Sequence, residues 1–392
     1  MERTRYTVED LGCSQAINNK NVQLLIGMEV FFNEAKYEEL YGCSFMKFSE
    51  WQKLATPRPI LGTFCLLSGI IHLTLYIPCL VIMLRKTYFV NSCYKLMFLV
   101  GLNDVLTIVA SCLITGYLMI KGTVFCTHPT LQYVTGSIGI SLWAGQCVSC
   151  VALALNRCLD FWSPRLSEFL FDGRRTYIHY ALIGAVITYI IVFTKPATLS
   201  SEIYMWLYDP YILLPQELVD HSVYTNLAHD LMTYICIPSL FVLYTFLIIS
   251  IRVKSKGLSS QNTAQLKILW QAGLICFLNF FAGTLFLVSQ FTNPSPLMVL
   301  CDLIAWQLSA GGGGIITLVA NTSIRRNLMS LVLKPKKKIF NVSVKTTAVA
   351  PTAINALLLM YFLGPNPSSV YALPMPSVLG ISALVSGQED AT

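Results

Sequence analysis

Charge is what this 392-residue sequence has least of. Lys, Arg, Asp and Glu together make up 12% of it, against about 25% in a soluble domain. A soluble surface cannot be covered from that supply, and hydrophobic types reach 55%. The composition also excludes a disordered or collagen-like chain. Thirteen cysteines are too few for a disulfide framework. Positions 1–24 lack the basic start and apolar core of a cleaved signal peptide, so the first long apolar stretch is expected to act as the signal anchor. Alternating-polarity segments of the outer-membrane barrel kind are missing. No repeat relates the two halves, as it does in many transporters. There is no Ser/His/Asp grouping, no carboxylate pair at one depth and no metal-ligand spacing. No catalytic site, metal, cofactor or nucleic-acid partner is therefore expected.

What the sequence does have is seven apolar stretches, at 60–84, 94–119, 131–156, 177–194, 224–251, 265–291 and 296–321. Each approaches or exceeds the ~20 residues that cross a bilayer. Lipid offers no partner for a backbone amide, so each must be a helix. The expected fold is an all-α membrane protein, a seven-helix transmembrane bundle over 60–321. The loops after the first, third and fifth stretches, the helix ends beside them and the tail after the seventh hold 18 of the 27 Lys and Arg residues. The loops after the second, fourth and sixth hold two. Cytoplasmic loops collect basic residues. The N-terminus, with residues 1–59, is thus expected outside and the C-terminus in the cytoplasm, which agrees with an odd number of spans.

A carboxylate near mid-bilayer costs about 2.5–3.5 kcal/mol to insert, so one that is there is a candidate for function. Asp104, beside Asn103, lies about ten residues into the second stretch, or roughly 15 Å deep. It is either a polar activation switch or a hydrogen-bonding anchor. Asp230 and Asp302 lie roughly 9 Å inside the outer ends of the fifth and seventh stretches. Each could face a cavity and pair with a cationic group of a ligand, or reach to the interface. Trp143 joins them as a ligand-binding candidate. His72 and His229 read as interhelical hydrogen bonders. Cys147 and Cys150 form a lone Cys-x-x-Cys with no second pair, so they read as small packing residues. At the inner end of the third stretch, Asn156 and Arg157 form either a basic anchor or a movable latch for a cytoplasmic partner. Gly311, Gly312, Gly313 and Gly314 would make the seventh helix bendable and allow close helix approach.

A set of ordered motifs runs through residues 40–335. They are Tyr41-Gly42-Cys43-Ser44 with Trp51, Leu75-Tyr76-Ile77-Pro78-Cys79, Leu102-Asn103-Asp104 and Ala154-Leu155-Asn156-Arg157-Cys158. Then come Arg174-Arg175-Thr176-Tyr177, Thr194-Lys195-Pro196, Asp209-Pro210, the run Gln271 to Asn279, and Asn321 to Arg326. Each is weak alone, but their order and spacing resemble the nematode serpentine receptors of class T, a chemoreceptor-like group of seven-helix proteins. The resemblance implies a chemosensory receptor in the plasma membrane of sensory cells. It would take a small ligand in its outer half and couple to a heterotrimeric G protein. Arg157 looks like the arginine that G-protein-coupled receptors keep at this place, and Asp104 like their helix-2 aspartate. Asn156 stands where an acid often precedes that arginine, which leaves the usual acid–arginine lock without its acid. The proline motif usual in the seventh helix is replaced by Ala310 to Gly314. The usual outer disulfide cannot form, because loop 195–223 has no cysteine. Cys126 could instead pair with Cys43 or with Cys13, and Cys43–Cys126 is the pairing carried forward.

The stretch 322–334 is amphipathic and suits a helix on the inner leaflet, followed by a basic patch, Lys336-Lys337-Lys338, for anionic lipid. Residues 335–392 read as a disordered cytoplasmic tail whose apolar part, 350–392, has no evident role. Two other classes compete with a receptor. A transporter or channel would need a polar stripe through several helices, whereas Asp104 alone is deep. A non-signalling membrane scaffold would make Arg157 replaceable.

Overall fold

The computed structural model describes Val30 and residues 33–254, 262–292 and 295–333. The expectations for residues 1–29, for the tail 335–392 with its Lys336-Lys337-Lys338 patch, and for the middle of the basic loop after the fifth helix lie outside the described residues. Seven helices are long and apolar enough to cross a membrane. They are α1 (Pro59–Met83), α2 (Ser92–Lys121), α3 (Pro129–Trp162), α4 (Thr176–Phe193), α5 (Leu227–Lys254), α6 (Asn262–Phe291) and α7 (Pro296–Ala320). Short helices Glu34–Tyr41 and Phe48–Leu54 precede α1, and Thr322–Leu333 follows α7.

The chemistry of α3 puts it at the centre. It packs against α2, α4, α5 and α6. Over its most apolar window 72% of the residues are buried, against 17% for α4. Small residues make this possible: Gly136, Gly139, Ala144, Gly145, Ser149 and Ala152 let neighbouring backbones approach where no hydrophobic force distinguishes helix from lipid. α4 instead turns Ile178 and Leu182 outward, as a helix bathed by lipid does. α3 also extends six residues past its expected end. Arg157 therefore lies inside the helix rather than closing it, with a further turn and a half behind it.

One departure from regular geometry matters for the interior. In α2 the turn Val109–Ile114 widens to a π-helix. The Thr115 hydroxyl reaches back to the Ala110 carbonyl at 2.8 Å. The Ser111 carbonyl accepts from Gln307 Nε2 of α7 at 2.9 Å. Such bulges release backbone groups for other partners.

The four glycines, expected to make α7 bendable and to allow close approach, lie within one continuous helix. What they provide in the structure is closeness. A Cβ on Gly311 would stand 2.3 Å from the His72 ring, and one on Gly313 would stand 2.5 Å from Tyr76 Oη. Backbone hydrogen bonding continues because every i to i−4 partner is still present, so four glycines lower helix propensity without breaking the ladder.

Gly311→Ala should therefore destabilise the bundle by about 1–3 kcal/mol through overpacking. Gly184→Ala on α4 meets nothing within 4 Å and should be neutral or gain about 0.5–1 kcal/mol. Thermal unfolding in one detergent should place the melting temperature of Gly311→Ala below wild type and that of Gly184→Ala at or above it.

Candidate functional site

One end of the bundle is closed by chain from two distant regions. Cys43, between the two short N-terminal helices, is disulfide-bonded to Cys126 just before α3. Around this bond Tyr41, Trp51, Phe125, Tyr211 and Tyr224 form an aromatic cluster, with Tyr41 and Phe125 edge-to-face at 5.6 Å. The Tyr224 hydroxyl donates to the Leu40 carbonyl at 2.7 Å and that of Tyr211 to the Gly42 carbonyl at 2.6 Å. His221 Nδ1 lies 2.5 Å from Asp209 Oδ2. Burial pushes the Asp209 carboxyl up from its ordinary value, while the Tyr211 N–H and His221 pull against that rise.

Beneath this cap the loop after α4 folds into an antiparallel hairpin, β1 (Thr198–Ser200) and β2 (Met205–Leu207), with Leu199 opposite Trp206. A bundle interior is a poor place for a hairpin, whose outer amides need partners. Gln132 of α3 supplies them: its Oε1 accepts from the Leu199 N–H at 2.8 Å, and its Nε2 donates to the Val124 carbonyl at 3.0 Å. Thr123 and Ser201 exchange two more hydrogen bonds. The Trp206 indole donates to the Thr115 hydroxyl at the end of the π-turn. Gly136 is required for this docking, since a Cβ there would stand 1.6 Å from the Ala197 carbonyl oxygen.

The hairpin roofs a cavity of about 360 Å³, within the ~300–1,000 Å³ of small-molecule sites. Its wall is largely aromatic, with Trp143, Trp206, Trp306, Tyr208 and Phe286 contributing. Two of the three ligand candidates, Trp143 of α3 and Asp302 of α7, line it. Asp230 does not; its neighbour His229 takes the place. One residue along a helix is a rotation of about 100°, enough to exchange the wall of a cavity for another face. The charge of Asp230 is nevertheless felt by Tyr208, whose phenol is raised by burial first and by that carboxylate second.

At the centre, Asp104 is fully buried. Its Oδ2 accepts from the Tyr76 hydroxyl at 2.7 Å and its Oδ1 from Gln146 Nε2 at 2.6 Å. Gln146 also reaches the Ser309 carbonyl at 3.4 Å. One carboxyl thus ties α1, α2, α3 and α7 together. Asn103 points elsewhere, donating to the Leu142 carbonyl at 2.6 Å. Successive helical residues diverge in this way, so the two side chains make separate contacts.

At the other end Arg157 is only 9% exposed. Its Nη2 donates to Asn156 Oδ1 at 2.5 Å and forms an ion pair with Asp160. Asp160 in turn accepts from the Ser167 hydroxyl, and Asn156 Nδ2 donates to Ser167 Oγ at 3.3 Å. The acid missing before the arginine is thus replaced by one a turn behind it. An acid at i+3 on the same helix face is visible in the sequence, and Asp160 is the residue the sequence analysis passed over. Nearby, Asn321 donates to the Tyr94 hydroxyl and to Gln271 Oε1, and Gln271 donates to Thr317, a polar bridge from α2 and α6 to the end of α7. Gln132, Gln146 and Gln307 were also passed over, because insertion cost singles out charges and these amides are neutral.

Seven membrane-length helices, a hairpin-roofed cavity at one end and a buried arginine paired with the more exposed Asp160 at the other make a seven-transmembrane bundle. The squid rhodopsin crystal structure superposes with a TM-score of 0.51 at 14% identity, over 74% of this chain and 86% of that one, which speaks for the fold alone. The chain belongs to the family described as serpentine type 7TM GPCR chemoreceptor Srt, whose model matches residues 28–341. Serpentine receptor class T-55 of Caenorhabditis elegans is 23% identical over 298 residues, covering 74% of this chain and 80% of that protein. The protein is accordingly a multi-pass membrane protein.

Gln132→Ala would leave the Leu199 N–H unpartnered, about 1–3 kcal/mol for a buried group, while the Val124 carbonyl keeps the Thr127 N–H and hydroxyl. Hydrogen-exchange mass spectrometry should show faster exchange across residues 198–207, with the middle of α1 unchanged.

Proposed function

We propose that this protein is a chemosensory receptor. It binds a small ligand in the cavity under the hairpin and activates a heterotrimeric G protein at the Arg157 end. The observation that carries the reading is the buried Arg157, paired with the more exposed Asp160 and held by Asn156, with Ser167 donating to Asp160. A guanidinium buried on its own helix has a ready alternative partner if the surrounding helix ends part, and a G protein can supply it. A ligand acts by binding one packing of the helices better than the other. Asp104 joins four helices midway between the two ends and tunes that balance.

In this reading the disulfide end faces outside, where the oxidising medium keeps the Cys43–Cys126 bond, and the basic loops face the cytoplasm. The membrane is the plasma membrane of sensory cells. The helix Thr322–Leu333 lies along the inner leaflet, with Arg325 and Arg326 towards lipid headgroups. The G protein meets the inner ends of α3, α5 and α6 together with the basic loop between the last two.

Agonist-independent nucleotide exchange on a co-reconstituted G protein tests the latch. Asp160→Asn weakens the restraint. A shift of about 1 kcal/mol in the balance of states is roughly fivefold in population, so basal exchange should rise severalfold. Arg157→Ala should reduce it towards background. Exchange unchanged in both variants would remove Arg157 from the coupling site. Epitope tags at the two termini should stain intact cells at the N-terminus and only permeabilised cells at the C-terminus.

A further inference from the structure

Two polar atoms of residues in the cavity wall are buried without a hydrogen-bond partner among the described residues: Asp302 Oδ1 and His229 Nδ1. The other oxygen of Asp302 accepts from the Ser289 hydroxyl. One side of the carboxyl is therefore served, and the other oxygen, itself buried, is left open in the wall of the cavity. A buried acid in that condition costs free energy unless something pairs with it. The chain does not supply the partner, since no Lys or Arg stands among the described residues that line the cavity. Two cations of the surrounding loops are engaged elsewhere: Arg58 pairs with Glu202 over the ring of Tyr204, and Lys195 Nζ donates to the Val223 carbonyl.

The rest of the wall favours the same ligand chemistry. Trp143, Trp206, Trp306, Tyr204, Tyr208 and Phe286 contribute rings, whose faces attract cations and whose bodies bury apolar groups. Asp302 is the single carboxylate among the described residues of that wall. An anionic ligand would meet it as a like charge, a neutral apolar one would leave Oδ1 unpaired, and a neutral hydroxyl would give it a weaker hydrogen bond than a cation does. His229 adds a second open position. The imidazole stands edge-on to Phe286 at 5.3 Å, and its Nδ1 lies 3.9 Å from Asp230, beyond hydrogen-bonding distance. α6 packs between α5 and α7, so the two open groups belong to different walls.

We propose that the cavity is a site for a small protonated amine with an aromatic or branched apolar body, its ammonium group donating to Asp302 Oδ1. This deepens the receptor reading above and rests on it. The cavity size suits a metabolite-sized amine and not a peptide. His229 takes a second polar group of the ligand where one is present.

The test uses the full-length receptor in lipid nanodiscs and three pairs of probes that differ only in the head group: phenethylamine and 2-phenylethanol, tryptamine and tryptophol, isopentylamine and isopentanol. Binding is read by titrating the fluorescence of the wall tryptophans and by the rise in melting temperature. At least one amine should bind about tenfold or more tightly than its alcohol, the size of a charge-assisted hydrogen bond. Asp302→Asn should bring that amine down to its alcohol's affinity, and Asp302→Glu should keep part of the preference. A monodisperse, cooperatively melting Asp302→Asn protein establishes that the variant is folded. The amine assignment is overturned if no amine exceeds its alcohol on folded wild-type receptor, or if the preference survives in Asp302→Asn. Basal nucleotide exchange in the Arg157 and Asp160 variants needs no ligand and judges the receptor reading separately. If those variants leave exchange unchanged while the amine preference holds, the receptor reading falls and an amine site remains. If exchange responds and the preference is missing, the reverse is true.

Discussion

A carboxyl group with no access to solvent, held between a tyrosine and a glutamine, is the contact on which the rest of this bundle depends. Asp104 cannot be carried into lipid without compensation. Its compensation comes from Tyr76 on α1 and Gln146 on α3, and the amide of Gln146 continues to the backbone of α7. The glycines of α7 follow from this arrangement. Tyr76 fills the space a side chain at Gly313 or Gly314 would need, so the hydrogen bond to Asp104 and the absence of side chains on α7 are one solution to one packing problem. In a membrane, where burial of apolar surface does not drive helices together, such contacts and close backbone approach carry the association.

Above that centre the bundle holds an aromatic cavity, and below it an arginine turned inward. The roof of the cavity is secured without the bridge that the family resemblance would put there. The bond that exists, Cys43–Cys126, fastens the N-terminal region to the start of α3. The hairpin is held by Gln132, Thr123 and Trp206. Hydrogen bonds are exchanged more easily than covalent bonds are broken. A roof attached in this way can admit a ligand, while the N-terminal cap stays fixed.

The number of spans and the central place of Asp104 were legible because lipid penalises charge, and the penalty leaves a mark in composition. The eighth, amphipathic stretch was legible from its periodicity, and a helix stands at Thr322–Leu333. The partners of these residues were not legible. Asp160 is three positions from Arg157, but nothing in the chain says that Ser167 of the following short helix returns to hold it. Asp230 and Asp302 looked equivalent by depth, yet only Asp302 lines the cavity. Depth fixes position along a helix and says nothing about rotation around it.

The sequence by itself determined that this chain crosses a membrane seven times and which polar residues the crossing must accommodate. Both follow from transfer free energies that act on each segment alone. Only the tertiary structure decided what those residues face. The π-turn that frees a carbonyl for Gln307, the hairpin beneath the cap and the open oxygen of Asp302 all depend on elements far apart in the chain. Their energies are pairwise, and a pair exists only once the helices have met.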